Sequence, residues 1–193
     1  MDKVIILFSG GVDSTLLATL AHKQGKLGAL LFVDYGQPAA RMEAQACHRW
    51  AEAHDVELIC MGVRMHGLET AMYTGVGEPG PRILPGRNMV LIAHAVNAAA
   101  ALGCWGVWYG ATGEDTEYPD CQAAWVDAMN ATTQPDTGVE VSAPLIEMSK
   151  AEVLTAASAL GVDLAATWSC YQPRNGNEPC GECNSCKQRN QCA

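Results

Sequence analysis

Two groups of residues in this 193-residue chain have types and spacing that could do chemistry. The first is Ser9-Gly10-Gly11-Val12-Asp13-Ser14, between a β-branched apolar run and a helix-forming stretch. In that position backbone N–H groups and a helix N-terminus converge on one anion. Gly10 and Gly11 permit backbone conformations that bulkier residues resist and let a phosphate come close. Ser9 and Ser14 can add hydroxyl donors, whereas Asp13 suits an anion site only if it caps the loop or helps to hold Mg2+. The segment is not a Walker A loop, which needs Gly-x-x-x-x-Gly-Lys, nor the dinucleotide pattern Gly-x-Gly-x-x-Gly. A lone Gly-Gly would be an ordinary strand–helix turn; six residues in this order, after such a strand, point to a nucleotide.

The second group is Cys170, Cys180, Cys183 and Cys186, spaced C-x9-C-x2-C-x2-C. Four soft thiolates with C-x2-C turns suit tetrahedral Zn2+, and an iron–sulfur cluster is the alternative that the same spacing leaves open. Four protein ligands would make the site structural, pinning a tail that has little else to order it. Cys192 is left over, and Cys47, Cys60 and Cys104 are expected to be buried core thiols. The five histidines form no spaced cluster.

The elements that must carry these groups follow from the alternation of short apolar runs with longer amphipathic ones, which argues for a parallel sheet covered by helices. Strands are expected at Val4–Phe8, Leu27–Asp34, Val56–Met61, Cys104–Tyr109 and Val139–Ala143. Helices are expected over Ser14–Lys23, from Pro38 to about His54, over Met89–Leu102 with Asn88 as its cap, and near Pro119–Thr132. Ser149-Lys150-Ala151-Glu152 reads as a capping box opening a last helix that stops at Gly161. Residues 62–87, rich in Gly and Pro, read as a long loop. This gives an α/β domain over residues 1–162 with helices on both faces of five strands. A cysteine-rich tail over 163–193 belongs to the same domain.

Composition bounds the partners. Twenty-one acidic residues against twelve basic ones leave a net charge of −9, opposite to the basic footprint that an RNA backbone demands. That favours a small-molecule substrate. The apolar run at the N-terminus is too short for an export signal, and clustered cysteines without one suggest a reducing, cytoplasmic setting. The uncharged stretch Asn88–Gly113 is interrupted by His94, Asn97 and Gly103 and splits into a helix and a strand, so no membrane span is expected.

The Ser9–Ser14 segment resembles the loop of ATP pyrophosphatases, which cleave ATP between the α and β phosphates and adenylate an oxygen of the substrate. Loop and tail together resemble the 7-cyano-7-deazaguanine synthase family. Further matching segments lie between them: Tyr35-Gly36-Gln37, Pro85-Gly86-Arg87-Asn88, Tyr118-Pro119-Asp120-Cys121, Pro144-Leu145 with Ser149-Lys150, and Trp168-Ser169-Cys170-Tyr171. Cys180-Gly181-Glu182-Cys183-Asn184-Ser185-Cys186 is similar to the family's zinc knuckle throughout.

The resemblance implies an adenine nucleotide alpha hydrolase-like, Rossmann-type fold and a homodimer. It also implies an ATP-dependent ligase that converts 7-carboxy-7-deazaguanine and ammonia to the nitrile through an adenylated carboxylate and an amide. Phe8, Ser9, Gly10, Gly11, Val12, Asp13, Ser14, Thr15, Leu16 and Leu17 would form the ATP site, with Asp13 assisting Mg2+. Arg87 would pair with phosphate or the substrate carboxylate, and Lys150 would stabilise the developing pyrophosphate. Tyr35, Gln37, Arg87, Asn88, Tyr118 and Asp120 would bind substrate, Asp120 reading the guanine-like edge. The chain departs from the family pattern at Gln122, where Arg is usual, at Pro38-Ala39, where a basic pair is usual, and in the turn Gly113–Glu117. A paralogue that stops at the amide or uses another amine stays open on that account. A tRNA sulfur transferase and a non-catalytic zinc module are the remaining alternatives; the charge opposes the first and the intact loop the second.

Overall fold

The computed structural model describes residues 2–65, 84–114 and 118–191. Its centre is β1 (Val4–Leu7), whose first three residues are fully buried. A strand covered on both faces has no need of polar alternation, which is why the run reads as continuously apolar. β2 (Leu27–Asp34) and β3 (Leu58–Gly62) lie to one side of β1, and β4 (Gly106–Trp108) and β5 (Glu140–Ser142) to the other. The order is β3-β2-β1-β4-β5 and every pairing is parallel.

Each face has its own core. Val4, Ile6 and Phe8 point to the side covered by α1 (Val12–Lys23), α2 (Ala40–His54) and α5 (Lys150–Ala159). Ile5 points to the opposite side, where α3 (Arg87–Leu102) packs and α4 (Ala123–Thr137) adds Trp125, Val126 and Met129. No helix among the described residues is long and apolar enough to cross a membrane.

Several boundaries differ from the sequence expectation, each for a physical reason. α1 starts at Val12, two residues early, because the extended Gly11 already serves as its N-cap. Asn88 does not cap α3; Gly86, at φ 72°, makes the turn, and Asn88 sits inside the first helical turn. Pro119–Cys121 is a separate 3-10 turn, and α4 begins only at Ala123. α4 also runs past Thr132 through Pro135, which falls in its last turn before the left-handed Gly138. Cys60 is exposed, since β3 is an edge strand, while Cys47 and Cys104 are buried as expected. Most of the loop expected over 62–87 lies outside the described residues, as do Asp115, Thr116, Glu117 and Cys192.

The chain runs outward from β1 to β3, then crosses back to place β4 on the other side of β1. The segments leaving β1 and β4 therefore diverge at the carboxyl edge of the sheet, opening the crevice in which such sheets bind ligands. Gly110, just after β4, approaches so closely that a Cβ there would lie 3.1 Å from the Asp13 Cβ and 3.3 Å from the Ser14 amide nitrogen.

Candidate active site

The loop after β1 is held open by its own hydrogen bonds. The Ser9 amide donates to the Ser14 hydroxyl at 3.3 Å, and the Ser14 hydroxyl donates to the Gly11 carbonyl at 3.2 Å. Gly10 adopts φ 70° and lies against α2, where a Cβ would sit 2.7 Å from the Ala46 Cβ. That is a position only glycine fits.

Loop and neighbours border a cavity of about 430 Å³. Of the ten residues 8–17, Ser9, Gly11, Val12 and Asp13 line it. Phe8, Leu16 and Leu17 are buried in the core, so their side chains support the loop from beneath, and Ser14 and Thr15 are also buried. Lys150, the first residue of α5, reaches across to Asp13 and donates to both carboxylate oxygens at 2.6 Å. Its helix is fixed by the full capping box between Ser149 and Glu152. A cation at a helix N-terminus is disfavoured by the dipole; here the Asp13 carboxylate, 137 positions earlier, offsets that.

The residues expected to bind substrate divide. Arg87, at the start of α3, is hydrogen-bonded to the Tyr35 hydroxyl, with Asp120 and Tyr171 nearby. Burial works against its charge, yet these neighbours outweigh it and hold the guanidinium above its ordinary range. Burial likewise raises Tyr35, against the pull of Arg87. Asn88 accepts from the Arg87 Nε at 3.2 Å. Asp120 is additionally placed by the Tyr109 hydroxyl, which donates to its carbonyl at 2.9 Å. Tyr118 starts the same 3-10 turn. This cluster adjoins the cavity through Tyr171, which lines it.

Gln37 has another occupation. It is buried, its Oε1 accepts from the Tyr35 amide at 2.9 Å, and its Nε2 donates to the Val33 carbonyl at 3.2 Å and to Glu43 Oε2 at 2.8 Å. Its amide thus serves the turn after β2 and fixes Glu43. Glu43 lines the cavity, and burial pushes its carboxyl up to about 7. Sequence inspection missed Glu43. The signal was its place one turn into a helix that opens just past Tyr35-Gly36-Gln37, a pattern that a lone glutamate does not announce.

The tail also joins the site. The Trp168 amide donates to the Gly10 carbonyl at 2.8 Å, and the Trp168 indole donates to the Cys170 carbonyl at 2.8 Å. α6 (Asn184–Gln191) brings Ser185, Gln188 and Arg189 to the cavity wall. Arg189 donates to the Leu164 carbonyl and, at 3.0 Å, to that of Thr167.

Behind this wall the sulfurs of Cys170, Cys180, Cys183 and Cys186 all lie within 4.8 Å of one another. Tetrahedral Zn2+ with four thiolates would set them ~3.8 Å apart, so the cluster fits such an ion with small adjustment. Backbone amides support the sulfurs: that of Cys180 donates to the Cys170 sulfur at 3.2 Å and that of Cys183 to the Cys180 sulfur at 3.3 Å. Burial opposes ionisation of Cys180, but the amides of Glu182 and Cys183 and the adjoining thiols bring it down to about 6. A thiol so disposed readily becomes the thiolate that a metal takes.

Comparison with known proteins points one way. The family described as queuosine biosynthesis protein QueC matches residues 3–193. A 7-cyano-7-deazaguanine synthase of Ectopseudomonas mendocina is 36% identical, with 97% of this chain and 91% of the relative covered. That of Marinobacter nauticus is 34% identical over 97% of this chain and 90% of the relative. Among solved structures, the tRNA thiolase NcsA of Methanococcus maripaludis, which carries a 4Fe-4S cluster, superimposes with a TM-score of 0.58 at 16% identity. The match covers 91% of this chain and 61% of the thiolase. NMN synthetase of Francisella tularensis gives 0.55 at 16% identity, over 96% of this chain and 71% of the synthetase. These two share the fold, whereas the sequence relatives and the full-length family match carry kinship: the chain belongs to the 7-cyano-7-deazaguanine synthase family, QueC.

Proposed function

We propose that the protein is an ATP-dependent ligase that makes 7-cyano-7-deazaguanine from 7-carboxy-7-deazaguanine and ammonia. The carrying observation is the Asp13–Lys150 pair at 2.6 Å, which sets an anion and a cation together at the mouth of a phosphate-type loop. Both charges are about one-quarter exposed, on the cavity wall.

A carboxylate is a poor electrophile until one of its oxygens becomes a leaving group. Its oxygen attacks the α-phosphorus of ATP and pyrophosphate departs. Ammonia then adds to the carbonyl carbon, AMP leaves with that oxygen, and one N–H proton is lost to give the amide. The amide oxygen attacks a second ATP, and the two remaining N–H protons are shed as AMP departs, leaving the nitrile. Each activation needs the same electrophilic phosphorus, so one site serves twice.

In this reading the loop amides and the Ser9 hydroxyl hold phosphate oxygens. Lys150 exchanges its contact with Asp13 for the negative charge that develops on pyrophosphate, freeing the Asp13 carboxylate, a hard oxygen donor suited to Mg2+. Arg87 and Asp120, beside Tyr35 and Tyr171, bind the substrate's carboxylate and guanine-like edge. Zn2+ on the four cysteines is structural and supplies no chemistry at the reacting carbon. The reading extends to a homodimer.

The test is to incubate the protein with ATP, Mg2+, ammonia and 7-carboxy-7-deazaguanine and identify the product by mass. Nitrile with two AMP per product is expected. Amide alone would move the end point to the first step, and no acid-dependent AMP at all would overturn the reading.

A further inference from the structure

Ammonia loses all three of its protons on the way to a nitrile, so the reaction just described needs a proton acceptor beside the nitrogen at each loss. Imidazole is the usual choice, but no histidine lines the cavity among the described residues. Three carboxylates do: Asp13, Glu43 and Glu114. Asp13 is engaged at both oxygens by Lys150 and, in the ligase reading, passes from it to Mg2+. Glu114 is exposed to solvent.

Glu43 differs in placement and in support. It lies one turn into α2, and its backbone carbonyl borders the phosphate loop: a Cβ on Gly10 would lie 3.1 Å from it. Gln37, itself locked by Val33 and Tyr35, grips Oε2 at 2.8 Å. One carboxylate oxygen is thus fixed by an amide while the residue borders the cavity, the arrangement of an oriented acceptor.

We propose that Glu43 is the general base of the amination and dehydration steps, taking the protons that the ammonia nitrogen sheds. This rests on the ligase reading above. At each loss an N–H bond breaks, its electron pair stays on nitrogen, and the proton passes to the Glu43 carboxylate and then to solvent. Burial supports the role, because it raises the carboxyl to about 7, where it both accepts and releases a proton near neutrality. The charged and titratable groups facing it are Arg87 from α3, Asp34 and Tyr35 from the end of β2, and Cys47 one turn along α2. Asp13, Lys150 and Arg189 line the same cavity. Arg87 favours the ionised carboxylate, Asp34 opposes it, and burial outweighs both.

The experiment separates adenylation from nitrogen chemistry. Acid-dependent exchange of labelled pyrophosphate into ATP, without ammonia, reads the first half-reaction; nitrile formation reads the whole. For Glu43→Gln, exchange should stay within a few-fold of the parent while nitrile formation falls ~10²–10³-fold, within the range for loss of a general base. With free ammonia held constant across the pH series, the parent's nitrile rate should decline as pH falls through about 7, and this limb should vanish in Glu43→Gln. Glu43→Asp, which keeps the carboxylate, should recover part of the rate together with an acid limb. Exchange and nitrile formation falling in step would overturn the proposal by making Glu43 a nucleotide ligand. An unchanged nitrile rate or an unmoved pH profile would overturn it as well. A parent that shows no acid-dependent exchange would instead sink the ligase reading beneath it.

Discussion

Asp13 and Lys150 illustrate how little of a site can reside in one segment of chain. Their charges meet at 2.6 Å across 137 residues of sequence, and neither is buried deeply enough to be a core ion pair. A surface pair of this kind contributes little stability; its value lies in positioning. Asp13→Ala should therefore keep the circular dichroism and Tm near those of the parent, while ATP-dependent nitrile synthesis falls ~10²-fold or more, the scale of a lost electrostatic stabiliser. Turnover persisting at the parental rate would remove the loop from the chemistry. Glu43 makes the opposite bargain. Its carboxyl titrates at about 7 in the fold against 4.5 ordinarily. Between those values the unfolded chain has released a proton that the fold retains, so stability falls as pH rises through that window and the penalty persists above it. Glu43→Gln removes the charge, so urea denaturation at pH 8 should find the variant more stable by on the order of 1–3 kcal/mol. Near pH 4 the difference should disappear. A destabilising carboxylate at a cavity wall is consistent with the trade of stability for activity that the proposed role requires.

Among the elements, those governed by local rules were legible from sequence and those governed by packing were not. The buried strand Val4–Leu7, the glycine loop and the Ser149–Glu152 box announce themselves through β-branching, glycine spacing and cap chemistry. Ser149→Ala should cost about 1 kcal/mol, measured as a lower denaturation midpoint, and should weaken catalysis because Lys150 sits on the first turn that the cap fixes. The start of α3 was misplaced because Asn88 is a good cap by type, whereas Gly86 wins by its positive φ. The 3-10 turn at Pro119 was merged with α4 because one proline suits the start of either. Gln37 marks a limit of the sequence at the site: its proximity to the sheet edge was readable, but only the folded turn reveals its amide engaged with Val33, Tyr35 and Glu43. The packing of Gly10 against α2 was equally silent in sequence. Gly10→Ala combines a forbidden φ with a 2.7 Å approach to Ala46. It should lower stability by ~1–3 kcal/mol and weaken ATP binding by calorimetry, where Gly25→Ala, at φ 66° in open space, should cost stability alone.

At the scale of the whole molecule, the cysteine cluster and the glycine loop after β1 are parts of one construction. Trp168 bonds the Gly10 carbonyl with its amide and the Cys170 carbonyl with its indole, so one residue ties loop to cluster. A second tie runs through α6, which carries Cys186 and lets Arg189 grip the Leu164 and Thr167 carbonyls. The tail has little apolar surface of its own; its buried group is the cysteines themselves with Trp168 packed on them. Metal binding by the four cysteines would then be the main source of its order. About one zinc per chain is expected by elemental analysis, whereas iron with visible absorbance would replace that assignment by a cluster. Stripping the metal with a chelator, or replacing Cys183 by Ser, should lower Tm and weaken ATP binding together, since the wall and the Gly10 anchor depart with the tail. Arg189→Ala separates the two effects. It spares all four cysteines, so the metal content should stay at the parental value while ATP affinity falls several-fold through the loosened wall. Metal loss that left nucleotide affinity untouched would show instead that the cluster folds the tail and does nothing for the site beside it.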